Sequence, residues 1–382
     1  MERTLNKKKK GMNIFMKKRY YICFLLTFLI FLLNSCNRLE RQQENVLGDV
    51  QIGVIETSGN TKKSGIVFYD AKLNKKQSLP LKYATVGNES CNPVVYKGKL
   101  YVIPQGYDFA QDEKKVLEID LSNLKKKIYK INQIGMYGLS VDDENIYTCS
   151  NLNGYSYIGK CNKKTGKVEE QKIEDIYMTQ VLAYQGKLYA FGTKMYTDKT
   201  KENKKKISYM YVYDSNFQLT DEINLSQYGD TQDKIIAFEN KIYFSNTYNG
   251  ETELPNNTVC AYSVKDKKIE TITLEKDYPL DLDIYENMLI VSQFDLLHGE
   301  VGSISFVNLK TNEQKNYELG HGVDHMVRVG EYLYILSDTA TYSNAKLYKY
   351  RIDGMGLELV KEAEAEKMYS DNYFTGLFVV EK

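Results

Sequence analysis

The chain has 382 residues, of which 42% are apolar, with 51 basic and 50 acidic side chains and a formal charge of +1. That apolar fraction excludes a chain that is disordered or membrane-embedded throughout. Tyr occurs 33 times, Trp never and Pro 5 times, so the composition favours strands joined by turns of Gly, Asn, Asp and Lys.

The first 35 residues read as an export signal. A basic stretch (Lys7, Lys8, Lys9, Lys10, then Lys17, Lys18, Arg19) precedes an apolar run over 20–33, and Met12 or Met16 would serve equally as the start. Fourteen apolar residues fall short of the roughly 20 that span a bilayer, which suits a signal sequence. The run ends in Leu33-Asn34-Ser35-Cys36. This segment resembles a bacterial lipobox, with Asn34 where Ala or Ser is usual. The resemblance implies cleavage before Cys36, a diacylglycerol on its sulfur, and an anchor in the cytoplasmic or outer membrane. The competing expectation is an uncleaved signal anchor. Residues 36–49 form the lipidated Cys36 with a polar tether, and 50–382 the folded domain. Removing eight basic residues and one acidic residue takes the formal charge to −6, which gives no support for a nucleic-acid partner.

A strand pattern recurs through the remainder. It runs Gly98-Lys99-Leu100-Tyr101-Val102-Ile103, Asn145-Ile146-Tyr147-Thr148, Gly186-Lys187-Leu188-Tyr189-Ala190-Phe191, Asn240-Lys241-Ile242-Tyr243-Phe244, Asn287-Met288-Leu289-Ile290-Val291 and Glu331-Tyr332-Leu333-Tyr334-Ile335. Successive copies lie 46, 42, 54, 47 and 44 residues apart. That is the period of a four-stranded propeller blade. A first strand with a tight turn precedes each copy, as in Val94-Val95-Tyr96-Lys97-Gly98, and an alternating third strand follows, as in Val116-Leu117-Glu118-Ile119-Asp120. Six units fill about 84–363. Three strand-like segments within 50–81 and one at 375–381 make a seventh blade from both chain ends, which removes the free sheet edge. The expected fold is an all-β, seven-bladed β-propeller.

The unit Tyr243-Phe244-Ser245-Asn246, Asn257-Thr258-Val259, Tyr262-Ser263-Val264 and Ile269-Glu270-Thr271-Ile272 resembles a YVTN-type bacterial propeller repeat. No Trp-Asp dipeptide occurs, unlike in standard WD40 repeats. The resemblance implies architecture only, because propellers host binding scaffolds, lyases and dehydrogenases alike.

Cys91, Cys149, Cys161 and Cys260 have no CxxC spacing, so a zinc site is not expected. Cys149 and Cys161 would pair as a disulfide if adjacent strands align them; reduced thiols are the alternative.

The connections between second and third strands, at 105–114, 194–206, 247–256 and 295–302, are the long ones and mark the face for recognition. The Lys-rich stretch 198–206 reads as a solvated charge run. Polar residues that open the first strands are the candidate channel-mouth ligands: Asn92, Gln180, Gln232, Asp281, Asp324 and His325, with Thr179, Asp233, Asp283 and Thr375 beside them. Loop tyrosines Tyr107, Tyr155, Tyr157, Tyr196, Tyr248 and Tyr342 offer aromatic faces to a sugar or peptide. His321, Asp324 and His325 are weak candidates for a metal or an acid–base pair, without zinc spacing.

The leading expectation is a cell-surface or periplasm-facing binding propeller that holds a protein, peptide or glycan, with no cofactor and no catalytic residue. The alternative is a metal-dependent lyase or hydrolase at the channel mouth, resembling streptogramin-inactivating propellers and drawing on His298 and Glu300 as well. Lack of Trp disfavours a quinone-dependent dehydrogenase, by family resemblance.

Overall fold

In the computed structural model, the described residues are 46–381 except 60, 88–91, 106–113, 198–203, 231, 250–253, 297, 300 and 338–344. The signal segment, Cys36 and Cys91 lie outside them. Residues Asp49–Lys382 make one compact unit.

Seven four-stranded antiparallel sheets form this unit. Blades 2 to 6 each use four successive strands, and blade 1 does so except that the short strand Pro104–Gln105 lies between its second and third. Their innermost strands are Val94–Tyr96, Met136–Val141, Tyr177–Tyr184, Ile235–Phe238, Pro279–Tyr285 and His325–Val329. Each is followed outward by a second strand carrying the repeat: Lys99–Val102, Asn145–Leu152, Lys187–Thr197, Lys241–Tyr248, Met288–Gln293 and Tyr332–Ser337. The inner strands touch in ring order, and blade 7 meets blade 1. The chain is therefore a seven-bladed β-propeller.

Blade 7 joins both ends of the chain. Tyr373–Val379 is its innermost strand, followed outward by Val50–Thr57, Ser64–Asp70 and Lys75–Leu81. Ile52 pairs with Val379 and Val54 with Leu377. The last strand begins two residues earlier than expected, because Tyr373 and Phe374 are themselves strand formers opposite Thr57 and Glu56. Thr375 Oγ1 donates to Val86 O at 2.7 Å and lies 3.0 Å from Thr57 Oγ1. This holds Val86 of an additional short pair, Thr85–Val86 with Pro104–Gln105.

The abundance of Tyr has a packing origin. Tyr101, Tyr147, Tyr189, Tyr243 and Tyr334 occupy one position of the repeat, and none is more than 8% exposed. Facing sheets interleave such rings: Phe191 of blade 3 meets Phe244 of blade 4 at 5.3 Å within a cluster that includes Met210, Ile242 and Cys260. Burying one such ring contributes about 2–3 kcal/mol.

First-to-second strand turns are tight. At Lys97-Gly98 and Gln185-Gly186 both central residues have φ between 49° and 71°, a pattern that matches the twist of a two-residue hairpin. On the opposite face, strand reaches into two of the connections expected as loops. Lys187–Thr197 pairs with Lys204–Tyr213, and Tyr248 pairs with Pro255. Lys204, Lys205 and Lys206 thus belong to a hairpin.

Cys149, Cys161 and Cys260 are buried thiols, and no disulfide occurs among the described residues. Cys149 lies opposite Ile158 and Cys161 opposite Ile146. The two cysteines are on adjacent strands but three rungs apart, about 10 Å, beyond the roughly 7 Å that a disulfide tolerates.

Candidate functional site

The antiparallel order puts the second-to-third and blade-to-blade connections on one face, called upper here, and the tight turns on the lower face. Inner strands have one edge without a strand partner, so they leave polar side chains along the central channel. A cavity of about 150 Å³ in this channel is lined by Asn92, Lys234, Asp281 and His325, with apolar walls from Val95, Met326 and Leu377. These come from five of the seven blades.

Asp281 organises the channel. Its carboxylate accepts the Met326 N–H at 2.9 Å and lies 3.6 Å from Lys234 Nζ, while its own N–H donates to Ser292 Oγ. One side chain therefore links blades 4, 5 and 6. Burial holds the His325 imidazole below its usual pKa; Asp281 opposes that shift and Lys234 adds to it. Burial likewise raises the Asp283 carboxyl, opposed by Arg328, whose Nη2 donates to Asp283 at 3.1 Å. Burial pushes the Asp233 carboxyl up to about 6, with Asp281 and Asp230 adding repulsion against a hydrogen bond from Thr247.

Several candidates serve the frame. Gln180 donates to the Asp233 carbonyl at 3.3 Å, and Gln232 is 1% exposed and donates to Asn246 at 3.0 Å. Thr179 donates to the Phe191 carbonyl, and Thr375 closes the ring. Asp324 is half-buried at the start of blade 6, where its N–H donates to Leu336 O.

His321 does not join His325. It stacks on Tyr348 at 3.6 Å with an interplanar angle of 4°, Nδ1 meets Gly322 O at 2.7 Å, and Nε2 meets Tyr350 Oη at 2.7 Å. Donation from Nδ1 to the carbonyl leaves Nε2 to accept the Tyr350 hydroxyl, so both nitrogens are engaged. The residues between the two imidazoles turn the chain from this packing site into the inner strand. Among the described residues no group of three His, Cys, Asp or Glu could hold a metal ion. His298 is exposed on an upper loop, 3.4 Å from Asp295, and Glu300 lies outside the described residues.

The upper face also exposes apolar side chains that carry little sequence signal. Leu152, Tyr155 and Tyr177 belong to its connections in blades 2 and 3, and Leu254, Leu296 and Val301 to those in blades 4 and 5. All six are 41–61% exposed. Tyr177 meets Tyr137 at 5.5 Å, and Tyr248 meets Tyr278 edge-on at 5.7 Å. Tyr155 carries the Lys172 ammonium 3.5 Å above its ring, and Tyr157 is half-buried opposite Ser150. Tyr196 lies in the strand Lys187–Thr197; Tyr107 and Tyr342 are outside the described residues.

No protein-family model matches this chain, and no curated protein matches its sequence. Solved structures do match in shape. A chain of the mitotic checkpoint complex has a TM-score of 0.51 at 9% identity, covering 73% of this chain and 79% of its own. The Pan2 WD40 domain of Neurospora crassa has a TM-score of 0.50 at 10% identity, covering 74% and 84%. TolB from Acinetobacter baumannii has a TM-score of 0.45 at 11% identity, covering 85% and 82%. At such identities the likeness is one of fold.

Proposed function

We propose that this chain is an extracytoplasmic lipoprotein, anchored through Cys36, whose propeller binds a protein or peptide partner on its upper face. The observation that carries this reading is the set of exposed apolar side chains on the upper-face connections: Leu152, Tyr155 and Tyr177 in blades 2 and 3, Leu254, Leu296 and Val301 in blades 4 and 5. Apolar groups left in water on a rigid scaffold are the usual mark of a protein-binding surface. Exposed Leu and Val favour a protein or peptide over a glycan, which stacks on aromatic faces instead. The channel beneath, with Lys234, Asp281 and His325, is sized for one inserted polar side chain. The anchor is supported by the short apolar run and the Leu33-Asn34-Ser35-Cys36 motif. Two acyl chains on one sulfur would hold the propeller stably at a membrane.

The test is crosslinking in native membranes with the full chain. Wild type should trap one stoichiometric partner, and a Leu254→Asp, Leu296→Asp, Val301→Asp variant should lose it. A Leu359→Asp, Val360→Asp control on the outermost strand of blade 6 should retain it. Equal trapping by all three, or by none, overturns the reading. In parallel, Cys36→Ser should abolish incorporation of labelled fatty acid.

A further inference from the structure

A cleft on the lower face lies between blades 1 and 2, away from the channel. Its volume is about 660 Å³, within the range of small-molecule sites. Three tight turns and the outer part of blade 1 enclose it, and its lining carries five lysines against three carboxylates.

The floor is a buried, ordered charge. Glu118 is 5% exposed and accepts hydrogen bonds from Lys99 Nζ at 2.9 Å and Tyr129 Oη at 2.8 Å. Burial alone would raise this carboxyl, but those donors hold it below its ordinary value, so the floor is an ionised and paired carboxylate. It demands nothing more of a ligand.

The walls differ. Lys163 Nζ donates to the Asp142 carbonyl and lies 5.3 Å from the Tyr96 ring centre, and burial lowers its pKa. Lys127 Nζ lies 4.4 Å from the Tyr129 ring centre and donates to Lys163 O at 3.3 Å. Within this cleft Lys97 is paired with Asp143 and Lys99 with Glu118, whereas Lys127 and Lys163 have only carbonyls and π faces as partners. Two ammonium groups on adjoining blades thus line one cleft with no carboxylate in ion-pair contact, although Asp142, Glu118 and Asp143 act on Lys163 from farther away. Five lysines against three carboxylates leave the lining net positive. A partly dehydrated ammonium gains most from an anionic oxygen.

Tyrosine hydroxyls, the Asn162 and Thr165 side chains and the Asp143–Glu144 turn give the rest of the lining both donors and acceptors. Such walls suit a body covered in hydroxyl groups better than an apolar one. We propose that this cleft binds an acidic sugar of mono- or disaccharide size, its carboxylate or phosphate seated between Lys127 and Lys163. The site is independent of the upper-face partner, and either can fail without the other.

Titration calorimetry on the full chain in detergent, with glucuronate, glucose 6-phosphate, glucose and inorganic phosphate, tests this. At least one acidic sugar should bind saturably, with glucose weaker by about tenfold or more. The two acidic sugars distinguish a uronic acid from a sugar phosphate. Lys163→Gln should weaken binding by about tenfold, and Lys127→Gln, at an exposed side chain that can be changed without threat to the fold, should do the same. No saturable binding of either acid up to about 10 mM overturns the proposal. So does equal binding of glucose, equal binding of bare phosphate, or undiminished binding by the folded Lys127→Gln variant.

Discussion

Asn372 donates its side-chain amide to Glu56 at 2.9 Å, joining two residues 316 positions apart in the chain. The other carboxyl oxygen of Glu56 accepts the Met368 N–H at 2.6 Å, and Glu56 is fully buried. The joint between the two chain ends therefore rests on a buried carboxyl as well as on strand pairing. Asn372→Ala should remove a donor from the buried Glu56 carboxyl and lower stability by about 2 kcal/mol. Burial raises the Glu56 pKa despite these bonds. Between the ordinary carboxyl value and the raised one, the folded chain binds more protons than the unfolded chain, so this contribution to stability falls as pH rises. Losing the Asn372 donor raises the pKa further and steepens that fall. Urea midpoints of wild type and variant at pH 5 and pH 8 should diverge most at pH 8.

Gly53 lies in blade 7 directly against Phe378 of the last strand. A Cβ at this position would sit 2.2 Å from Phe378 Cζ, inside any tolerable contact. Gly53→Ala should destabilise the propeller by about 1–3 kcal/mol through overpacking. Phe378→Leu also costs stability on its own, since Phe378 meets Phe68 edge-on at 6.2 Å. The double variant should be more stable than the sum of the two losses, because the smaller side chain vacates the space the methyl needs. Additive losses in thermal melts would place the cost of Gly53→Ala in the strand backbone instead.

The fold was legible in the sequence because one aromatic position repeats. Tyr101, Tyr147, Tyr189, Tyr243 and Tyr334 must each fill the same interblade space, so the packing is written at the blade period. The pair Thr85–Val86 with Pro104–Gln105 was not legible, since two-residue strands carry no alternation and Pro104 has no N–H to donate. The channel is a mixed case. Asn92, Asp281 and His325 line its cavity because inner strands begin with polar residues where no sheet partner covers them. Gln232 also opens a strand, but its amide is taken by Asn246. His321 and His325 read as neighbours, yet one belongs to an aromatic stack and the other to the channel, which only three-dimensional packing decides. Lys234 gives no signal, because a single Lys before a strand looks like any solvated charge.

The register of blade 2 predicts the chemistry of its cysteines. Cys149 and Cys161 lie three rungs apart, and both are 0–1% exposed, as is Cys260. Burial also raises the thiol pKa values of Cys161 and Cys260, the latter to about 12, so little thiolate forms in the folded state. A thiol reagent at pH 8 should therefore leave these three unreacted in native protein and modify all three in urea. Thermal stability should be the same with and without reductant. A melting point that falls on reduction in wild type but not in a Cys149→Ser, Cys161→Ser variant would require a bridge that this strand register forbids.

Asp233 and His325 should impose opposite pH slopes on stability. The Asp233 carboxyl has an ordinary value of 3.8 and is pushed up to about 6 in the folded chain. Between those values the folded state holds the proton that the unfolded state has released, so stability is lost as pH rises through that window. His325 is held below its ordinary 6.5, so the unfolded state binds the extra proton and stability is lost as pH falls below about 6.5. Asp233→Asn keeps an acceptor for the Thr247 hydroxyl and removes the titration. Relative to wild type, it should gain stability steadily from about pH 4 to pH 6 and hold that gain above it. His325→Gln should gain relative to wild type only as the pH is lowered from about 6.5. Urea unfolding of the three proteins at half-unit steps of pH would read both slopes. A flat difference for Asp233→Asn across that window would mean that channel water already solvates the carboxylate, and that the channel is wetter than its lining suggests.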